Sequence, residues 1–144
     1  MLARSPSHES AWVGRTRTLF VVAALYDGIL GVAFFFLYQP IFQLLGIPLP
    51  DNASYIHLSA GFIFVQGVGY WLVSRDLQRN LDLVRVGALY KAIYVAVAVY
   101  YLGTGQILHA VFAWFGLFDF VFLLLFLAVL RTASRNGAWQ EPGG

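Results

Sequence analysis

The sequence predicts an all-α integral membrane protein, an up-down-up-down bundle of four helices with both termini in the cytoplasm. Three observations predict it. Hydrophobic residues make up 60% of the 144 and charged residues only 11%, against roughly a quarter charged in a soluble domain. Four apolar runs each supply the length of about 20 helical residues that crosses a hydrocarbon core of roughly 30 Å. Basic residues collect at alternate ends of those runs, which is the pattern of membrane topology.

Residues 1–17 are polar and form a predicted cytoplasmic segment. The apolar run behind them, 19–38, is longer than a signal-peptide core and has no small-residue cleavage signature, so it reads as a retained first span over 18–38. The next spans are predicted over 53–73, 83–102 and 108–130, giving a transmembrane domain over 18–131 and a polar tail over 132–144. The connection 39–52 contains Pro40, Pro48 and Pro50 and a small apolar patch over 41–45, read as a turn or two of interfacial helix. Only 103–107 separates the last two spans, and such short connections make successive helices antiparallel neighbours.

Orientation follows from the arginines. Arg4, Arg15 and Arg17 precede the first span, Arg75 and Arg79 join the second to the third, and Arg131 and Arg135 follow the fourth, while the two opposite connections contain no Lys or Arg. The termini and the middle loop therefore face the cytoplasm. Trp71 at the inner boundary and Tyr38, Tyr55, Tyr100 and Tyr101 at the outer one fit the aromatic belts. Nine basic residues and a net charge of +2 form no stripe that would suit nucleic acid.

Small residues are placed where helices can approach: Ala24, Gly28 and Gly31, then Gly61, Gly67 and Gly69, then Gly87 and Ala88, then Gly116. The tetrapeptide Ala24-Leu25-Tyr26-Asp27 has a counterpart in Ala88-Leu89-Tyr90-Lys91, and Leu117-Phe118-Asp119 echoes both. Two parallel hairpin repeats about an axis along the membrane normal would bring Asp27 and Lys91 toward the bundle axis from opposite sides. Chance similarity between apolar segments is the other reading.

Asp27, Lys91 and Asp119 are the most informative residues, because each lies near the middle of its own span. Leaving all three in lipid would cost on the order of 8 to 10 kcal/mol, so they are expected to face inward and meet. One ammonium between two carboxylates leaves a surplus negative charge. One carboxylate is then expected to pair with Lys91, and the other to hold a proton or a bound cation. The alternative is a group that only staples three helices together, because buried ion pairs are weak signs of function.

Gln66, Ser59 and Tyr70 fall on one face of the second span and would complete a polar pocket. Tyr94, three residues from Lys91, is a better candidate hydrogen-bond donor to the carboxylates than Tyr26 or Tyr90, which adjoin the charges in sequence and so point elsewhere on a helix. His57 and His109 lie toward the outer ends of the second and fourth spans and leave room for a b-type haem, but the position of His109 at the water boundary needs no ligand to explain it. No cofactor and no metal site is predicted. Arg85, near the cytoplasmic edge of the third span, is expected to snorkel to headgroups. The absence of cysteine excludes disulfides, thiolate metal sites and cysteine nucleophiles. No Ser-His-Asp constellation or phosphate-binding loop is present.

Pro40 followed by Leu45-Gly46-Ile47-Pro48, a glycine-rich second span, Gly87 and Lys91 in the third span, and Asp119 ahead of 122–130 in the fourth carry a resemblance to the small bacterial four-span DoxX-like proteins. It covers about 18–131 and implies a four-helix membrane fold. Members of that group are variously linked to quinone-coupled oxidation or of unknown role, and the missing cysteines speak against a thiol-based redox role here. The leading expectation is a non-catalytic or accessory component, embedded in the bilayer with a membrane-protein partner or a second copy. The first alternative is a binding protein for a small lipophilic or cationic ligand or a proton at the Asp27, Lys91 and Asp119 cluster. The second is a subunit associated with a membrane oxidoreductase. The sequence leans away from an enzyme.

Overall fold

A computed structural model describes residues 6–107 and 109–135, and all of their regular structure is helical: α1 over Pro6–Leu44, α2 over Ser54–Arg75, α3 over Leu81–Gly103 and α4 over Ala110–Arg135. Arg4, Leu108 and the tail beyond Arg135 lie outside the described residues. All four helices are long and apolar enough to cross a membrane. Their outward faces carry large apolar side chains that water would not tolerate in such numbers, among them Ile29, Phe36, Val65, Leu89 and Phe118, each at least half exposed.

The largest departure from the sequence reading is α1, which begins at Pro6 rather than near Thr18 and runs through Pro40 to Leu44. A proline at the first helical position loses nothing, because its missing N–H has no partner there anyway. Pro40 is different. It cannot donate to the carbonyl four residues earlier and its ring crowds that turn, and the helix answers with a kink at Leu37, where φ is −122° and ψ 17°. The predicted connection 39–52 therefore shrinks to 45–53, and all but Leu45 of the apolar patch over 41–45 becomes the last turn of α1. Gly46, with φ at +67°, ends the helix: its N–H donates to the Gln43 carbonyl at 3.1 Å and the Ile47 N–H to the Phe42 carbonyl at 2.8 Å. Gly105 closes α3 the same way, with the Gln106 N–H on the Tyr101 carbonyl at 2.9 Å.

The other ends are held by side chains. Asn52 Oδ1 accepts from the Ser54 N–H at 2.9 Å ahead of α2, and His109 Nδ1 accepts from the Val111 N–H at 3.1 Å ahead of α4. Between α2 and α3, Asp76 Oδ1 accepts from the Arg79 N–H, while the Asn80 side chain donates to the Leu72 and Asp76 carbonyls.

Helix α1 packs most extensively on α2 and α3 on α4, with α2 and α3 in lighter contact. The α1 and α2 backbones nearly touch: a Cβ on Gly67 would lie 2.7 Å from the Gly28 nitrogen, so no other residue fits without moving a helix. Gly61 and Gly69, by contrast, face open space and take no part in this packing. Helices α1 and α4 meet through large rings, with Phe20 on Phe126, Tyr26 on Phe122 and Phe118, and Phe34 on Phe115.

The core is one-sided. Phe20, Ala23 and Ala24 of α1, Tyr70 and Val73 of α2, Val84 and Ala88 of α3, and Phe126 and Val129 of α4 form a closed cluster. Along their helices they precede Asp27 on α1 and Lys91 on α3, follow Asp119 on α4 and lie in the last turns of α2. On the other side of Asp27, Lys91 and Asp119, Leu30, Phe34, Tyr94 and Phe115 border a cavity, beside which Phe42 and Ala60 are still buried.

Candidate functional site

Asp27, Lys91 and Asp119 come from α1, α3 and α4 and meet at the boundary between the closed cluster and the cavity. Lys91 Nζ donates to Asp27 Oδ1 at 2.8 Å, to Asp27 Oδ2 at 2.9 Å and to Asp119 Oδ1 at 2.7 Å. The three are almost wholly buried, Asp119 being the most open of them at 5%. Such a group persists inside a membrane helix bundle because each charge finds its counter-charge within hydrogen-bonding distance.

Four rings enclose the ammonium. Nζ lies 5.3 Å from the centroid of Tyr26, 5.4 Å from Tyr90, 5.6 Å from Phe122 and 5.7 Å from Tyr70, all inside the roughly 6 Å reach of a cation–π contact. Tyr70 is itself set by a glycine. A Cβ on Gly87 would fall 2.5 Å from the Tyr70 ring, and the Tyr70 hydroxyl makes a long hydrogen bond to the Gly87 carbonyl at 3.5 Å.

Above the charges lies a cavity of about 350 Å³, within the roughly 300 to 1,000 Å³ of small-molecule sites. All four helices line it. Asp27, Lys91 and Asp119 form one end, and the walls are mainly apolar and aromatic, with Phe34, Phe42, Tyr55, Phe112 and Phe115 prominent. Among the described residues no partner reaches the Tyr26 hydroxyl, which is buried beside the cavity, and Asp119 uses only its Oδ1 toward Lys91. Buried polar groups are nearly always satisfied, so an unsatisfied one in a cavity wall calls for an explanation.

Of the residues singled out from sequence, Asp27, Lys91, Asp119, Tyr94 and Ser59 all border the cavity. Gln66 does not; it is half-buried beside Gly67, where α2 closes on α1. Tyr26 and Tyr90, expected to point elsewhere, line the cavity and face the ammonium. The inward face of each helix is wide enough for two successive residues to reach the axis, since a tyrosine ring extends well beyond an aspartate. Their placement was missed for that reason.

His57 packs its ring against Phe35 and Tyr38, and His109 caps α4, so each has a local role and neither borders the cavity. Among the described residues no cluster of three or more His, Asp or Glu side chains suits a metal ion. Arg85 pairs with Asp82 at 2.8 Å on an exposed surface. The fold and the site define a four-helix protein, apolar enough to span a membrane, with a buried ion triad at the end of an aromatic cavity. No family model, no curated protein and no solved structure matches the chain.

Proposed function

We propose that this chain is a multi-pass protein of the bacterial inner membrane that binds a small lipophilic molecule inside its bundle, with the polar part against Asp27, Lys91 and Asp119. The observation that carries the reading is the one-sided packing: the closed apolar cluster lies on one face of the triad, and the other face borders a cavity that Asp27, Lys91 and Asp119 help to line. A group serving only to staple helices would gain nothing from a void beside it, because empty volume forfeits dispersion contacts.

The proposed arrangement is up-down-up-down with both termini in the cytoplasm. It is supported by contact partners that run in opposite order along neighbouring helices, as in Phe20 with Phe126 and Phe34 with Phe115, and by the arginines at alternate ends of the spans. The cavity then opens toward the outer leaflet. Membership of the DoxX-like proteins belongs to the same proposal, through Lys91, Asp119 and the Leu45-Gly46-Ile47-Pro48 stretch.

An accessory role without a ligand is the second reading, favoured by the way Lys91 ties α1 and α4 to α3. Filling the cavity separates the two. Ile63 borders it, and Ile63→Trp protein purified in lipid nanodiscs should lose a small molecule that mass spectrometry finds in extracts of the native protein. Identical extracts from both would leave the accessory reading.

A further inference from the structure

We propose that the occupant is a lipophilic amine in its protonated form, and that it enters in exchange for a proton on the triad; this rests on the ligand-binding reading above. The first support is the charge count. Two carboxylates and one ammonium carry a formal surplus of one negative charge, enclosed by rings and helices where water cannot screen it. Some positive species must balance it.

The second support is where that charge is reachable. Both Asp27 oxygens are taken by Lys91. Asp119 gives Lys91 only Oδ1, and among the described residues no donor reaches its Oδ2, on a side chain more than nine-tenths buried that borders the cavity. A carboxylate in this position can bridge two cations, Lys91 behind it and a ligand ammonium in front. The Tyr26 ring, which already lies 5.3 Å from the Lys91 ammonium, lines the same cavity. The third support is the wall: Phe34, Phe112, Phe115 and Tyr55 line the cavity with aromatic rings, side chains that suit both an apolar tail and a cation.

The exchange balances. The empty site holds one carboxylate, the Lys91 ammonium and one protonated carboxyl, summing to zero. Arrival of one alkylammonium and departure of the carboxyl proton leaves two carboxylates and two ammoniums, again zero. One proton is released for each amine bound. Because alkylammonium groups keep their proton up to about pH 10, raising the pH over the physiological range removes the competing proton without removing the ligand's charge.

The test compares 4-phenylbutylamine with 4-phenylbutan-1-ol, molecules of one shape differing in charge, by equilibrium dialysis against the full chain in nanodiscs with empty nanodiscs as blank. The amine should bind at least about tenfold tighter than the alcohol, as expected of a charge-assisted bond over a neutral one. Its affinity should rise with pH by up to about tenfold per unit, the limit for exchange of one proton, and a pH indicator in weak buffer should register the released proton. Asp119→Asn should bring the amine-to-alcohol ratio down to about one, with a thermal melt confirming that the bundle persists. Equal binding of amine and alcohol by the native chain, with no proton release, would overturn the amine while leaving a lipophilic site. Binding of neither, with no change in extracts of Ile63→Trp, would overturn both.

Discussion

Lys91 grips Asp27 by both carboxylate oxygens, at 2.8 and 2.9 Å, although the two residues are 64 positions apart and sit on different helices. That contact lies inside the bundle, where removing one partner leaves the other charge buried. Lys91→Met alone should therefore destabilise the protein by about 3 kcal/mol or more. Combined with Asp27→Asn, the loss should be smaller than the sum of the single changes by about 1 kcal/mol or more, read from a double-mutant cycle in bicelles. Additivity within about 0.5 kcal/mol would contradict a direct contact.

Close approach of α1 and α2 makes a second prediction. Gly67→Ala places a methyl 2.7 Å from the Gly28 backbone nitrogen and 3.0 Å from the Ala24 carbonyl oxygen, neither of which can move without moving α1. The expected cost is about 1 to 3 kcal/mol, the range for overpacking. Two residues along, Gly69→Ala meets open space and should stay within about 0.5 kcal/mol of the native protein. Thermal melts of the pair test the helix contact, with one glycine as control for the other.

Topology can be checked with little disturbance because the chain contains no cysteine. Leu49→Cys, in the 45–53 connection, should react with a membrane-impermeant maleimide added to intact cells, whereas Arg79→Cys, in the 76–80 connection, should react only after permeabilisation. Both positions are exposed, so failure to label would reflect side and not burial. The reverse pattern would overturn the orientation argued from the arginines.

Much of the fold is legible in the sequence because lipid imposes simple demands: about 20 apolar residues per helix and no unpaired charge at mid-depth. Those demands alone bring Asp27, Lys91 and Asp119 to one place. The cavity is not legible. Phe34, Phe112 and Phe115 around it are as apolar as Phe20 and Phe126 in the closed cluster, so hydropathy cannot tell a cavity wall from a packed core. Gln66 shows the same limit from the other side. It shares a face with Ser59 seven residues earlier, but the contact of Gly67 with Gly28 closes the bundle at its level. The kink at Leu37 was signalled by Pro40, yet a proline near a helix end predicts a stop as readily as a bend.

The Tyr26 hydroxyl gives a prediction of unusual sign. It is buried without a hydrogen bond among the described residues, and an unsatisfied buried hydroxyl costs about 1 to 3 kcal/mol. Tyr26→Phe keeps the ring against Phe122 and beneath the Lys91 ammonium while removing that cost. Without added ligand the variant should therefore melt higher than the native protein. A lower melting temperature without ligand would mean that the hydroxyl already has a partner, such as an ordered water.

The unequal grip of Lys91 on its two carboxylates predicts where the proton of the empty site resides. Asp27 has both oxygens committed to the ammonium, whereas Asp119 keeps Oδ2 uncommitted. A proton on Asp27 would have to displace a charge-assisted bond; one on Asp119 Oδ2 displaces nothing and can be handed to the cavity. The infrared spectrum of the ligand-free protein at neutral pH should therefore contain one carboxylic acid C=O band that shifts on labelling the aspartate carboxyls with carbon-13. Asp119→Glu, which keeps the charge count, should replace it with a band insensitive to the aspartate label, whereas Asp27→Glu should leave it in place, and saturating 4-phenylbutylamine should remove it from the native protein as the proton departs. A spectrum with both carboxyls ionised and no bound cation would contradict the exchange and return the triad to a purely structural role. Loss of the labelled band in Asp27→Glu alone would reverse the assignment of the two carboxyls, and the amine would then be held by the oxygen that Lys91 now covers.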